Sequence, residues 1–265
     1  MLGRKNMSPR IKKLLHKTLG LWREWENTGQ DTPVKQPEVT EQLTDGLTNQ
    51  SFMVSSGDFK AVLRVNSLDS FSYAVDRDRE TLLLKTLQST GCVPRLLYAD
   101  ADTQVTEFIE GRYLTSSDIT KPSIQAQLED CFRRVHSLTL GDRPRRNYLR
   151  YSRFYSDQLA HFPDLKALES VARTIDAGGW DPVISHHDLL LENILYNDEG
   201  IYFIDWEYAD LGHPLMDHLR VFGVNYCAAR TDRRTLDALV DLDNGLAKLW
   251  YAVKDNNNKL ARNRI

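Results

Sequence analysis

The residues best able to do chemistry lie between Ser185 and Asp217, in the run S-H-H-D-L-L-L-E-N-I-L-Y-N-D-E-G-I-Y-F-I-D-W-E-Y-A-D-L-G-H-P-L-M-D. An H-x-D-x-x-x-x-N element is followed by a short hairpin signal and then by an apolar run ending in Asp205. Phosphoryl transfer from ATP requires such a set: one carboxylate takes the acceptor's proton, and an amide and a second carboxylate hold Mg²⁺ against the phosphates. The spacing predicts Asp188 as the base, with His186 bracing its loop. It predicts Asn193 and Asp205 as the hard oxygen ligands of Mg²⁺. Alone, Asp188 and Asn193 would read as turn residues. The interval between them, the hairpin and the strand-terminal Asp occur together, and that combination favours catalysis.

Other elements must position these groups. Strand 201–204 (I-Y-F-I) would carry Asp205 rigidly into a cleft. Upstream, T-D-G-L-T-N-Q-S (44–51) sits where a hairpin should cover phosphates: Gly46 permits close backbone approach, and Thr48 and Asn49 supply short polar groups. This segment is neither a Walker A nor a G-x-G-x-x-G, and by itself an ordinary polar turn fits it equally well. Arg64 ends a predicted strand and Glu80 lies on a predicted helix over 76–89. In protein kinases a strand cation pairs with the phosphates and with a helix Glu, so Arg64 is expected on the nucleotide with Glu80 bracing it. Asp76 and Asp78 compete for that bracing role. Adenine would dock on backbone at Glu107, Phe108 and Ile109, in the segment that joins the two lobes. Glu207, Tyr208 and Asp210 follow the metal strand, and a carboxylate beside aromatic rings suits a cationic substrate. Asp217 reads as a brace of the catalytic loop or a helix cap. Tyr226, Trp250, Tyr251 and His136 read as packed helical core.

A chain of 265 residues makes one large domain or two lobes, with ample material for a core. Its net charge of −3 gives no reason to expect nucleic acid as a partner. Cys92, Cys131 and Cys227 are far apart and odd in number, so no disulfide framework or CxxC metal site is expected, and a cytoplasmic location fits. No apolar run has the length of a membrane helix, and no secretory segment follows Met1. Near the N-terminus, Ser8-Pro9 opens a helix with Ile11, Leu14, Leu15, Leu19 and Trp22 on one face. A helix packed on the first lobe with a solvated basic face is favoured there over a membrane-surface helix.

Strand signals at 50–54 and 59–65 flank the turn Ser56-Gly57-Asp58. Further strands are expected at 94–98 and 104–109, and helices over 122–140 and 151–177. The predicted class is α+β: a basic N-terminal helix and linker (1–38), a small antiparallel nucleotide-binding N-lobe (39–110) and a mostly helical C-lobe carrying the catalytic loop and acceptor site (111–265).

Five motifs in order, G-L-T-N (46–49), L-R-V (63–65), F-I-E-G (108–111), H-x-D-x-x-x-x-N and I-D-W-E-Y-A (204–209), resemble the choline/ethanolamine kinase and thiamine kinase branch of the aminoglycoside-phosphotransferase-like kinases. The resemblance runs from about Leu43 to Asp217, and Arg64 in place of Lys is a feature of that branch. It implies a two-lobed protein-kinase-like fold, ATP, Mg²⁺ and a small hydroxylated acceptor. His187 departs from the Gly or Asn common before the catalytic Asp, and the helical region after Asp217 is short for the family. The resulting expectation is a kinase acting on a cationic alcohol such as choline or thiamine. Two alternatives stay open: an aminoglycoside or sugar kinase of the same fold, and a nucleotide-binding pseudokinase. Oligomeric state is not set by the sequence.

Overall fold

In F-K-A-V-L-R-V every second side chain is buried, and this period-2 pattern forms β3 (Phe59–Val65). It is the middle strand of a five-stranded antiparallel sheet in the order β1-β2-β3-β5-β4. The others are β1 (Glu38–Thr44), β2 (Gln50–Ser56), β4 (Leu96–Ala99) and β5 (Thr103–Glu107). The computed structural model describes residues 7–26, 33–44, 49–69 and 73–262. The β2–β3 turn places Gly57 at φ 63°, a left-handed conformation that glycine adopts without steric cost.

Helix α1 (Pro9–Gly20) starts where Ser8 accepts a hydrogen bond from the Ile11 N–H and Pro9 fills the first helical position. Its apolar face, Ile11, Leu14, Leu15 and Leu19, shares a core with Phe52, Val54, Leu63, Leu97 and Val105 of the sheet. Arg10 and Lys17 pair with Asp102 and Asp100, while Lys12 and Lys13 face solvent. This is the packed helix with a solvated basic face that the sequence favours. No helix among the described residues is long and apolar enough to cross a membrane.

Helix α2 (Arg77–Leu87), capped by the Asp76 carboxylate on the Arg79 N–H, lies between the sheet and the second lobe. Beyond Gly111, β6 (Arg112–Tyr113), β8 (Ile194–Asn197) and β9 (Gly200–Phe203) form a small antiparallel sheet in the order β6-β8-β9, and β7 (Val183–Ser185) pairs with β10 (Asp210–Gly212). The remaining elements are α3 (Ser116–Ile119), α4 (Pro122–His136), α5 (Tyr148–Ser156), α6 (Leu165–Asp176), α7 (Met216–Phe222), α8 (Val224–Ala228) and α9 (Arg233–Arg262). One apolar cluster joins α2 and α4 to the small sheets through Leu83, Leu87, Leu128, Phe132 and Phe203. A second joins α5, α6 and α9 through Tyr148, Leu168, Leu239 and Leu249.

Two helix expectations are corrected. The helix from 122 ends at His136 rather than 140. The stretch 151–177 is two helices, because the residues after Ser156 turn and Pro163 cannot continue a helix that would need its missing N–H.

Candidate active site

Asp188 stands on the loop after β7, and its position is fixed from below. The Asp217 carboxylate at the start of α7 accepts hydrogen bonds from the backbone N–H of His186 at 2.7 Å and of His187 at 3.0 Å. His186, fully buried, has Nε2 at 2.8 Å from the Ile204 carbonyl, and its Nδ1 accepts from the Asp188 N–H at 3.3 Å. These bonds set the tautomer: Nε2 carries the proton. Burial lowers the His186 pKa below its ordinary value, against the pull of Asp217. His186 is thus a brace between the loop and the segment that follows β9.

His187 takes the left-handed backbone at φ 62°, a conformation uncommon outside glycine, Asn, Asp and His. Its ring is buried against Tyr148, with Nε2 3.1 Å from the Tyr148 hydroxyl. Gly212 makes room for it, since a Cβ there would stand 2.4 Å from the ring. Burial pushes the His187 pKa well down.

The Asn193 side-chain amide donates to the Asp188 carbonyl at 2.8 Å, which turns its oxygen to the other side. Asp205 follows the end of β9 in a left-handed conformation (φ 64°, ψ 62°). Arg64 reaches it from β3, with Nη1 3.4 Å from Asp205 Oδ1. The same guanidinium donates through Nη2 to Glu80 at 2.7 Å. Desolvation and then the Glu207, Glu80 and Asp188 carboxylates push Asp205 up to about 8, with Arg64 acting the other way. The Asp205 side chain is nevertheless 42% exposed on the cleft side, so its crowding comes from cleft walls and not from a closed core. Desolvation also raises Asp188, with Arg220 and His186 opposing.

Asp188, Asn193 and Asp205 line one cleft of about 650 Å³, together with Arg64, Glu107, Phe108, Ile109, Glu207, Tyr208 and Trp250. In the joining segment, the Glu107 N–H is committed to the Arg95 carbonyl at 2.9 Å and the Phe108 N–H to the Lys60 carbonyl at 3.4 Å. A second cavity, about 710 Å³, also borders that segment and contains none of Asp188, Asn193 and Asp205. Among the described residues no three His, Cys, Asp or Glu side chains converge as a metal cage. A Mg²⁺ held by one carboxylate, one amide oxygen and substrate phosphates needs none, so the donor set fits that ion.

The structure moves three sequence expectations. Asn49 lies at the mouth of β2, but its amide donates to Glu207 Oε2 at 2.7 Å, and its carbonyl oxygen accepts from Arg77 at 2.9 Å. Glu207 lines the cleft beside Tyr208 but is buried, with Arg77 Nη1 3.0 Å away, so it also ties the second lobe to the first. Asp210 is set back in β10 and pairs with Arg79 at 3.3 Å and Arg146 at 3.6 Å; its charge is spent on those cations. Gly46 and Thr48 lie outside the described residues. Glu80 is buried on Arg64 and Arg77, whereas Asp76 and Asp78 are exposed, which resolves that competition.

Sequence reading missed four residues here. Arg77 bridges Glu80, Glu207 and Asn49. Arg146 donates to the Tyr208 carbonyl at 2.6 Å. Arg220 on α7 donates to Asp188 at 2.9 Å and to Asp243 on α9 at 2.7 Å. Only Arg77 left a signal, its i,i+3 spacing from Glu80. Trp250, read as core, lines the cleft and donates to the Tyr208 hydroxyl at 3.1 Å.

Residues 40–229 match the model of the choline/ethanolamine kinase family. Mouse ethanolamine kinase 1 is 28% identical over 222 residues, covering 71% of this chain and 61% of its own length. The human ethanolamine kinase 1 is 27% identical, and this chain spans about half of it, 49%. Among solved structures, choline kinase LicA from Streptococcus pneumoniae superposes with a TM-score of 0.70 at 16% identity, covering 94% of this chain and 92% of that one. A ternary complex of aminoglycoside phosphotransferase APH(4)-Ia with ADP and hygromycin B gives 0.64 at 16% identity, covering 94% and 93%. The fold is therefore the two-lobed kinase-like one.

Proposed function

We propose that this chain, which belongs to the choline/ethanolamine kinase family, transfers the γ-phosphoryl group of ATP to the hydroxyl of a small amino alcohol. The observation that carries the reading is the convergence of Asp188, Asn193, Asp205 and Arg64 on one cleft that ends at the lobe-joining segment.

Asp188 presents its carboxylate to the acceptor hydroxyl and takes its proton as the phosphoryl group transfers. Asn193 and Asp205 would hold Mg²⁺, which when bound draws charge from the phosphate oxygens. Arg64, held by Glu80, aims its remaining charge at the phosphates. Ile109 offers an amide in the joining segment where those of Glu107 and Phe108 are already used. The transition state is loose, so the residues act chiefly by position and charge.

Ethanolamine and choline are favoured over thiamine as acceptors because the curated relatives include ethanolamine kinases and the structural relatives a choline kinase. The aromatic wall of Tyr208 and Trp250 suits an alkylammonium group. Release of ADP from Mg-ATP should be measured against ethanolamine, choline, thiamine, an aminoglycoside and an amino sugar. Turnover on ethanolamine or choline at least tenfold above the rest is expected. Preference for an aminoglycoside would replace the acceptor, and nucleotide binding without transfer to any of them would favour the pseudokinase alternative.

A further inference from the structure

The catalytic loop carries an ion pair that the phosphoryl-transfer reading does not use. Arg220 Nη1 lies 2.9 Å from Asp188 Oδ1, and its Nε lies 2.7 Å from Asp243 Oδ1. We propose that Arg220, itself anchored by Asp243, is the positioning residue for Asp188: it fixes the carboxylate so that one oxygen is held and the other faces the acceptor hydroxyl. The proposal rests on Asp188 being the base.

Three elements meet at this guanidinium: the loop after β7, helix α7 and helix α9. Arg220 is 13% exposed and Asp188 36%, so the pair stands at the cleft floor with the carboxylate toward solvent and the guanidinium behind it. A guanidinium donates along fixed directions in its own plane, so two carboxylates gripping its two sides set its orientation. Asp188 alone would be a short side chain on a loop, free to turn its carboxylate. With Oδ1 held, the second oxygen is the one left for a proton. The His186 and Asp217 bonds fix the loop backbone; only Arg220 reaches the carboxylate among the hydrogen bonds described.

The pair also balances charge. Asp188 faces Glu207, His186 and Arg220, and Arg220 faces Asp243 on its other side. Burial works against a charge on Arg220, but Asp243 and Asp188 more than offset it, and its pKa is raised, so it stays a cation. A cation behind the base offsets the crowding of like charges that Glu207 brings to it. The Asp243 carboxylate keeps part of that cation's field away from Asp188.

A plain structural tie between α7 and α9 would show differently. Losing it would lower the melting temperature and disturb nucleotide and acceptor binding alike. Losing a positioning group lowers kcat while leaving the ATP site intact, because misplacing a reacting group by about 1 Å costs on the order of 100-fold in rate.

The test uses the full chain with Mg-ATP and ethanolamine or choline, whichever gives more turnover. Arg220→Met, Arg220→Lys and Asp243→Asn are each made alone and in an Asp188→Asn background. Arg220→Met is expected to lower kcat about 10- to 100-fold with the KM for ATP within about twofold. Added guanidinium ion should restore part of the loss. Asp243→Asn should lose about 3- to 10-fold. Neither change should lower the residual rate of Asp188→Asn further, because there is no base left to position. If Arg220→Met does not fold, the Lys and Asn variants read the same split. An unchanged kcat in Arg220→Met, or the same fractional loss in both backgrounds, overturns the proposal alone. Full turnover by Asp188→Asn, or no turnover by the unsubstituted chain on either alcohol, overturns the reading of the base and the proposal with it.

Discussion

Two arginines hold carboxylates at the cleft, one from each lobe, and they are built differently. Arg64 and Glu80 are sealed, with side chains 9% and 1% exposed, and Arg77, one turn before Glu80 on α2, closes the group. Arg220 stands behind Asp188, whose side chain is 36% exposed toward the cleft. In the first pair both charges have left water, and their desolvation is offset only while every partner is present. In the second, one charge remains partly solvated and available for chemistry. A buried cluster fixes a frame for the cleft wall on which, in the proposed reading, the nucleotide would sit. A half-open pair fixes one side chain without locking it away.

The sharpest break between the two comes from removing one carboxylate in each. Asp188→Ala should lower kcat by about 10²- to 10⁴-fold, the usual contribution of a general base, with nucleotide affinity retained. Isothermal titration with ADP alongside steady-state assays checks both halves. Glu80→Ala should instead show in stability. Leaving Arg64 and Arg77 buried beside the vacated site is expected to cost about 3–5 kcal/mol, read from urea denaturation. A larger effect on kcat at saturating ATP than on stability would reverse the contrast between the two pairs.

The same carboxylate makes the stability pH-dependent. Burial opposes charge on Glu80, but Arg64 and Arg77 overcome it and hold its pKa below the ordinary 4.5. A depressed folded pKa contributes stability that is present above about pH 4.5 and lost as pH falls through the folded value. The difference in unfolding free energy between the unsubstituted chain and Glu80→Gln should therefore be constant near neutrality and shrink in acid below pH 4.5. Arg64→Lys keeps the charge but loses the fork that reaches Glu80 and Asp205 together, so the KM for ATP should rise about tenfold, equivalent to one charge-assisted hydrogen bond. At the small end, Arg153→Gln removes an exposed pair with Glu169 on the outer helices. It should leave both melting temperature and kcat unchanged, because surface pairs are screened by solvent.

Much of the first pair was legible beforehand. A strand-ending Arg64 and a helical Glu80 lie 16 residues apart, joined by the single connection from β3 to α2. Asp188, Asn193 and Asp205 were legible for the same reason: a loop, a short hairpin and a strand end lie close in sequence, and local geometry brings their side chains to one place. The break of the expected 151–177 helix at Pro163 could also have been read, since proline is a local signal.

The second pair was not legible. Arg220 and Asp188 lie 32 residues apart and Arg220 and Asp243 lie 23 apart, on two helices and a loop whose mutual angles no spacing encodes. Glu207 illustrates the same limit, because its neighbours in sequence are aromatic while its partners, Asn49 and Arg77, come from the other lobe.

The sequence by itself determined the two-lobed class, the order of the chemical motifs and the identity of the groups that can take a proton or hold a hard cation. Those follow from residue type, period and short-range spacing, which act along the chain. Tertiary structure alone decided which cations back which carboxylates, that Asp210 is spent on Arg79 and Arg146, and that Trp250, packed against the second core, also lines the cleft. Charge pairing acts through space over a few ångströms, and only the packed lobes set which groups come that near.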